Sequence, residues 1–305
     1  MFPSPEQESS ERREKLLREL GHIEIYTRRV ANQALVGDYR SSLRGEGVDF
    51  IEHKKYVAGD NWRRIDWNVF ARTGQPYVRI CYEEKEMLAL IVADLSPSMD
   101  LGSEEFSKKD VLVEAVATIA FSAAAANMSV GLVGGAESVD LYLRPRKGRR
   151  QAWHILEGLL QYRSRSRRTN LEQLLRYALD SLRRPCIFFV LSDFIVIESL
   201  LEQPLLSYIA AHHDLVPVLI EDRLERELPE VHSYVRFRDL EVGEEVLVSL
   251  SPRNCQALAG DMQRRRRAIR QAFLRLGAIP MILGTGQSPL VPLMEFFLQR
   301  KKSNR

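Results

Sequence analysis

The stretch Leu88-Ala-Leu-Ile-Val-Ala-Asp-Leu-Ser-Pro-Ser-Met99 decides the fold of this chain. It opens with an uninterrupted apolar run, and the run stops at Asp94, which is followed by the hydroxyl side chains of Ser96 and Ser98. An apolar run without alternation predicts a strand that is buried on both faces of a parallel sheet. Ligands of open α/β sheets bind in the crevice beyond the carboxyl ends of the strands. The three polar side chains are therefore candidates for a binding site.

The spacing of these side chains suits a metal ion. Oxygen-bearing side chains at positions i, i+2 and i+4 of one turn are the hard ligands that Mg²⁺ prefers. An equally acceptable interpretation needs no ligand, because Asp94 can end a strand while Ser96 and Ser98 shape a turn. The sequence of this stretch leaves both interpretations open.

Composition and charge indicate an ordinary globular protein. The chain has 305 residues, 45% hydrophobic and 28% charged, and 44 Lys and Arg oppose 41 Asp and Glu for a net charge of +3. That balance does not by itself imply a polyanionic partner. Three widely spaced cysteines, Cys81, Cys186 and Cys255, favour a reducing compartment and exclude a zinc ribbon.

We expect a cytoplasmic location without a membrane anchor. The first residues lack the apolar core of a signal peptide. The longest weakly polar run, Ala115 to Ala126, is shorter than the roughly 18 apolar residues that a membrane span needs.

Helical and strand patterns alternate along the rest of the chain. This alternation predicts an α/β fold with a doubly wound, mostly parallel sheet that has helices on both faces. We divide the chain into four parts, in order: an N-terminal helical extension (1–36, with a helix over about Glu6 to Leu35), a β and turn region packed on the main domain (37–86), the main domain (87–285), and a C-terminal helix and tail (286–305).

Aromatic and charged residues alternate in Trp62-Arg-Arg-Ile-Asp-Trp67. We expect the two tryptophans to pack and the arginines to form ion pairs with Asp60 and Asp66. A surface of interleaved Arg and Trp could instead stack on nucleic-acid bases, although the two acids cancel part of its charge.

Two further oxygen ligands follow later in the chain. The apolar strand Cys186 to Ser192 ends in Asp193, which repeats the pattern of the first strand, and Thr169 stands at the start of a predicted helix. Each has a structural explanation by itself. Thr169 and Glu172 fit a capping box, and Asp193 can cap the helix after it.

Taken together, Asp94-x-Ser96-x-Ser98, Thr169 and Asp193 resemble the metal-ion-dependent adhesion site of von Willebrand factor type A domains in order and spacing. The resemblance implies a von Willebrand factor type A-like fold and a Mg²⁺ or Mn²⁺ ion. It implies that the two serines and the threonine offer hydroxyls to the metal, and that the aspartates act directly or through water. An acidic residue of a protein partner would complete the coordination shell.

The preceding region also resembles a known family, the domain of unknown function fifty-eight. The resemblance rests on Gly47-Val-Asp-Phe50, Tyr56, Gly59-Asp60, Arg63-Arg-Ile-Asp-Trp67 and Ala71-Arg72, and it covers roughly residues 35 to 285. It implies a partnership with a MoxR-type AAA ATPase or its substrate, with this chain as adaptor or assembly factor. His53-Lys-Lys55 and Arg168 depart from the family pattern.

These observations favour a metal-dependent protein-binding module over an enzyme. One alternative is a metal-dependent phosphoesterase, but that activity requires a general base and none is evident beside the five oxygens. Another is nucleic-acid binding through residues 144–168, where nine Arg and Lys residues accompany a single acid, Glu157. Such runs are more often solvated loops.

Overall fold

The computed structural model describes residues 44–45, 49–82, 87–103, 106–163, 166, 168–195, 200–201, 204–225, 234–238, 245–249 and 251–303. The predicted helix over Glu6 to Leu35 lies outside these residues. The four proposed parts of the chain remain predictions. No helix within the described ranges has both the length and the apolar character needed to cross a membrane.

Strands and helices alternate in the order that the sequence patterns predict. The strands are β1 (Arg44–Gly45), β2 (Asp49–Lys55), β3 (Tyr77–Tyr82), β4 (Leu88–Asp94), β5 (Ser129–Gly135), β6 (Val139–Lys147), β7 (Ile187–Ser192), β8 (Asp214–Glu221), β9 (Tyr234–Arg238), β10 (Glu245–Ser249) and β11 (Met281–Gly284). The α-helices are α1 (Trp67–Thr73), α2 (Lys108–Ala125), α3 (Arg149–Gln161), α4 (Leu171–Asp180), α5 (Leu205–His212), α6 (Pro252–Arg275) and α7 (Leu290–Ser303).

Six strands form the main sheet in the order β11-β8-β7-β4-β5-β6. Every neighbouring pair is parallel except β5 and β6, which are antiparallel. The prediction of a mixed α/β fold with a mostly parallel sheet is therefore confirmed. β9 and β10 form a separate antiparallel pair.

The central strand β4 is buried along its whole length because both faces of the sheet are covered. Ala89, Ile91 and Ala93 join a hydrophobic cluster with residues of α2, α3 and α7. Leu88, Leu90 and Val92 join a second cluster with residues of α4, α5 and α6. Successive side chains of a strand point to opposite faces, so an apolar residue is needed at every position.

The two tryptophans of the smaller β region are largely exposed. Trp62 is 62% exposed and Trp67 is 60% exposed. The carboxylate of Asp66 accepts hydrogen bonds from the first backbone N–H groups of α1 and from His53, so it turns inward. The prediction that the tryptophans pack is confirmed only for Trp67, whose ring meets that of Phe70 edge to face with 5.9 Å between the ring centroids.

Candidate functional site

Three adjacent strands of the main sheet, β4, β7 and β8, carry acidic residues at or just after their carboxyl ends. Asp94 is the last residue of β4, Asp193 follows β7, and Asp222 follows β8. All three side chains are buried. Parallel strands bring their carboxyl ends to one edge, which is the usual ligand-binding edge of such sheets.

The loop after β4 folds its polar side chains together. The Asp94 Oδ1 atom accepts a hydrogen bond of 3.0 Å from the backbone N–H of Ser96. Ser96 then caps a short 3₁₀ helix, Pro97–Asp100, and the Ser96 and Ser98 hydroxyl oxygens lie 3.0 Å apart. The three oxygen-bearing side chains therefore share one turn, and Asp94 ends β4 and braces that turn, as the interpretation without a ligand expects.

Asp94 and the end of β7 are joined by a side chain that the sequence analysis did not single out. The Ser192 hydroxyl donates to Asp94 Oδ2 over 2.7 Å and accepts a hydrogen bond from the backbone N–H of Phe194 over 2.9 Å. Ser192 is fully buried. Ser192 therefore links Asp94 to the strand end that Asp193 follows.

The environment of Asp94 disfavours its negative charge. Burial, followed by the negative charge of Asp193, raises the pKa of Asp94 from 3.8 to about 6, although hydrogen bonds from Ser192 and Ser96 act in the opposite direction. A positive charge placed between the two carboxylates would relieve this cost.

Lys108 supplies one positive charge to this edge of the sheet. It is fully buried at the start of α2, and its Nζ atom donates to Asp193 Oδ2 over 2.7 Å and to Glu225 Oε1 over 2.9 Å. Burial lowers the pKa of Lys108, but Asp193 and Glu225 raise it by more, so the net shift is upward and the side chain is charged.

Lys108 was not predicted as a site residue, although helical periodicity indicates that its side chain is buried. Ser107 and Asp110 form a capping box at the start of α2. Lys108 lies four residues before Leu112, which is fully buried, so both side chains lie on the same face of α2. Lys109 points elsewhere and pairs with the exposed Asp100 over 3.2 Å.

A second carboxylate network follows β8. The Asp222 carboxylate accepts three hydrogen bonds, from the Ser103 N–H over 2.9 Å, the Leu224 N–H over 2.9 Å and the Thr285 hydroxyl over 2.8 Å. Burial raises the pKa of Asp222, but these hydrogen bonds lower it by more. The Asp222 N–H in turn donates to Glu225 Oε2 over 2.8 Å. Polar contacts thus run from β4 to β11.

Thr169 lies next to Asn170, whose backbone is anchored beside the end of β5. The N–H of Asn170 donates to the carbonyl of Ala136 over 2.8 Å, just beyond β5, and Asp94 is paired with Gly135 in the sheet register. The capping interpretation of Thr169 is wrong, because Asn170 is the N-cap of α4 and accepts from the N–H of Gln173. Thr169 is therefore not needed as the cap.

Asp193 also has a local structural role. Its Oδ1 atom accepts a hydrogen bond of 3.2 Å from the backbone N–H of Ile195, while Oδ2 accepts from Lys108. The expectation that Asp193 caps a following helix falls on residues 196–199, which lie outside the described ranges.

The donor set matches the chemistry of a small divalent cation. The predicted ligands are two carboxylates and three hydroxyls, all hard oxygens, and none is a thiolate or an imidazole. Lys108 faces two carboxylates, those of Asp193 and Glu225, so its single positive charge compensates only part of the negative charge at this edge of the sheet.

The basic run is largely on the surface. Its residues that the structure describes as exposed are Arg144, Arg146, Lys147, Arg149, Arg150, Arg163 and Arg168. The first five lie on β6 and at the start of α3, away from the end of β4, whereas Arg168 immediately precedes Thr169.

Comparison with known proteins shows which family this chain resembles. Residues 52–271 match the family model described as "Protein of unknown function DUF58". Uncharacterized proteins of Mycobacterium tuberculosis and Mycobacterium bovis are 28% identical over 296 residues, which cover 94% of this chain and 90% of each relative.

Among solved structures, the conserved hypothetical protein BatB from Bacteroides thetaiotaomicron is 14% identical with a TM-score of 0.44, over 71% of this chain and 99% of that protein. An aerotolerance-related membrane protein from Bacteroides fragilis is 12% identical with a TM-score of 0.42, over 71% of this chain and 99% of that protein.

Proposed function

This chain belongs to the family described as Protein of unknown function DUF58, and we propose that it is a metal-dependent protein-binding module. The proposed ion is Mg²⁺ or Mn²⁺, and its proposed ligands are Asp94, Ser96, Ser98, Thr169 and Asp193.

One observation carries the proposal. Asp94 and Asp193 are both buried, and Ser192 bridges the ends of their two neighbouring strands while the hydroxyls of Ser96 and Ser98 converge beside Asp94. Buried carboxylates are costly unless positive charge compensates them, and Lys108 compensates only part of the charge. A divalent cation would complete the compensation and would accept the hydroxyl oxygens as ligands.

The resemblance of these residues to the metal-ion-dependent adhesion site of von Willebrand factor type A domains supports a role in protein recognition. A metal held by two carboxylates and neutral hydroxyls retains positive charge, and a carboxylate of a partner is the natural ligand for an open coordination position. The exposed Arg168 beside Thr169 would add positive potential that steers an acidic segment toward the metal.

By the family resemblance, the proposed partner is a MoxR-type AAA ATPase or its substrate, with this chain as adaptor or assembly factor. We propose binding rather than catalysis, since hydrolysis would need a general base beside the metal. The carboxylates of Asp94 and Asp193 already accept hydrogen bonds from Ser192 and Lys108, so they are better arranged as ligands than as bases.

Affinity capture tests this function directly. The full chain is immobilised, an extract of its native organism is passed over it with Mg²⁺ or with EDTA, and the retained proteins are quantified by mass spectrometry. We expect a MoxR-type AAA ATPase or its client among proteins that are retained only with Mg²⁺. Asp94→Ala and Ser98→Ala should lose those proteins.

Two exposed residues provide matched controls. Asp100→Ala removes an acid from the same loop, and Ser138→Ala removes a hydroxyl from the turn before β6. Both variants should retain the Mg²⁺-dependent proteins. Equal capture of the same proteins with Mg²⁺ and with EDTA would contradict the proposed function.

A further inference from the structure

Lys108 is held in place from two sides. Its backbone N–H donates to the carbonyl of Leu101 over 2.8 Å, and the capping box formed by Ser107 and Asp110 fixes the start of its helix. Its ammonium group is completely buried between Asp193 and Glu225. Lys108 therefore presents a fixed positive charge to one of the proposed metal ligands.

We propose that Lys108 is the resident cation of this site, and that it sets how tightly the site binds a divalent metal. This inference rests on the proposed function. When no metal is bound, the ammonium group compensates Asp193 and keeps the edge of the sheet folded. When a metal binds, the same ammonium group repels it, so the affinity stays moderate.

Moderate affinity has a consequence for recognition. A site that is only partly occupied with metal alone gains occupancy when the carboxylate of a partner becomes a ligand, because that carboxylate adds a favourable charge interaction. Metal and partner then bind cooperatively, since each raises the affinity for the other. Lys108 is in this sense a positioning and tuning residue that acts through Asp193.

The proposal predicts opposite changes in metal affinity when Glu225 and Lys108 lose their charges. It shares the ammonium group of Lys108 with Asp193, so it draws part of that positive charge away from the proposed metal ligand. Removing the charge of Glu225 should therefore weaken metal binding, whereas removing the charge of Lys108 should strengthen it. A purely structural role would weaken metal binding in both variants, because each loses a buried ion pair.

The experiment is a calorimetric titration of the full chain with Mg²⁺ or Mn²⁺, accompanied by thermal unfolding with metal and with EDTA. We expect Lys108→Gln to bind the metal roughly tenfold more tightly than the wild type and Glu225→Gln to bind it roughly tenfold more weakly. Lys108→Gln should lose thermal stability in EDTA and recover more of it on adding metal than the wild type gains.

Matched variants change the same charges elsewhere. Lys109→Gln alters the neighbouring lysine, whose partner is the exposed Asp100, and Glu157→Gln alters an exposed acid on α3. Neither should change the dissociation constant of the metal. If Lys108→Gln does not fold under either condition, Lys108→Met takes its place, since it removes the same charge and leaves an apolar side chain of similar length: tighter metal binding supports the proposal, and equal or weaker binding overturns it.

The outcomes separate the two proposals. If the wild type binds metal but both variants match it, or both shift in the same direction, the role of Lys108 is refuted and the metal site survives. If the wild type itself binds neither Mg²⁺ nor Mn²⁺, the proposed function fails, and the role of Lys108 fails with it.

Discussion

Replacing Asp94 by asparagine should stabilise the metal-free protein while abolishing its response to metal. The side chain of Asp94 is completely buried, and its pKa is raised from 3.8 to about 6, first by burial and then by the charge of Asp193. Because the folded state binds this proton more tightly than the unfolded chain, stability falls as the pH rises from about 4 through about 6. At neutral pH the ionised Asp94 therefore costs folding free energy, and asparagine carries no such charge.

The size of the effect follows from the same pKa difference. A change of one in pKa corresponds to about 1.4 kcal/mol, so a rise of about 2 amounts to roughly 3 kcal/mol at neutral pH. Asparagine keeps one oxygen that can accept from the N–H of Ser96, and its amide can donate to the Ser192 hydroxyl, although it loses the donation from Ser192. The loss of this hydrogen bond reduces the gain in folding free energy by about 1 kcal/mol. The expected net gain is roughly 2 kcal/mol.

Urea unfolding at several pH values measures this gain. In EDTA at about pH 7.5, Asp94→Asn should unfold at a higher urea concentration than the wild type, and the difference should disappear below about pH 4, where the wild-type side chain is protonated in both states. Adding Mg²⁺ should stabilise the wild type and leave the variant unchanged. Asp100→Asn, an exposed acid in the same loop, should behave like the wild type in both respects.

A lower stability of Asp94→Asn in EDTA at about pH 7.5, or a gain that is the same at every pH, would contradict an electrostatic cost of the buried Asp94 carboxylate. The first result would mean that the hydrogen bonds of Asp94 outweigh the cost of its buried charge. The second would mean that the gain has no electrostatic origin.

Three further results are expected from this structure. Ser192→Ala should weaken metal binding and destabilise the chain by about 1 to 3 kcal/mol, because it removes the bridge to Asp94 and leaves the N–H of Phe194 without that acceptor. Calorimetry measures the metal affinity and urea unfolding measures the stability, and an unchanged metal affinity would contradict the role of the bridge. Asn170→Ala should cost about 1 kcal/mol of stability through loss of the α4 cap, which urea unfolding can measure, whereas Asn170→Ser should recover most of it. The full chain should show no metal-dependent hydrolysis of a generic phosphoester, and phosphoester turnover that Asp193→Ala abolishes would favour the phosphoesterase alternative. It should bind DNA or RNA only weakly, and tight binding that falls steeply with salt and persists in EDTA would favour the nucleic-acid alternative.

The main sheet and the Asp94 loop could be predicted from the sequence because local patterns determine them. The uninterrupted apolar runs that end at Asp94 and Ser192 indicate strands covered on both faces, and parallel pairing then brings their polar ends to one edge. The spacing of Asp94, Ser96 and Ser98 was sufficient to predict that their oxygens gather, since they lie within one turn.

The charge balance of the site could not be obtained in the same way. Lys108 and Lys109 are the same residue type at the start of α2, yet helical geometry buries Lys108 completely and leaves Lys109 partly exposed. The acceptor Glu225 lies 117 residues away from Lys108, and no local pattern relates the two. The exposure of Trp62 and Trp67 was likewise missed, because burial depends on what the rest of the fold places over a side chain.

Electron paramagnetic resonance of Mn²⁺ measures metal binding by this chain, because the signal of free Mn²⁺ is lost when the ion binds to a protein. Titration of the full wild-type chain should remove the free signal of one Mn²⁺ ion per chain, and excess Mg²⁺ should restore it. Asp100→Ala should behave like the wild type, and Asp94→Ala should leave the free signal intact. A free Mn²⁺ signal that is the same with the wild-type chain as in buffer alone, or an Asp94→Ala chain that binds the ion as the wild type does, would contradict metal binding through Asp94.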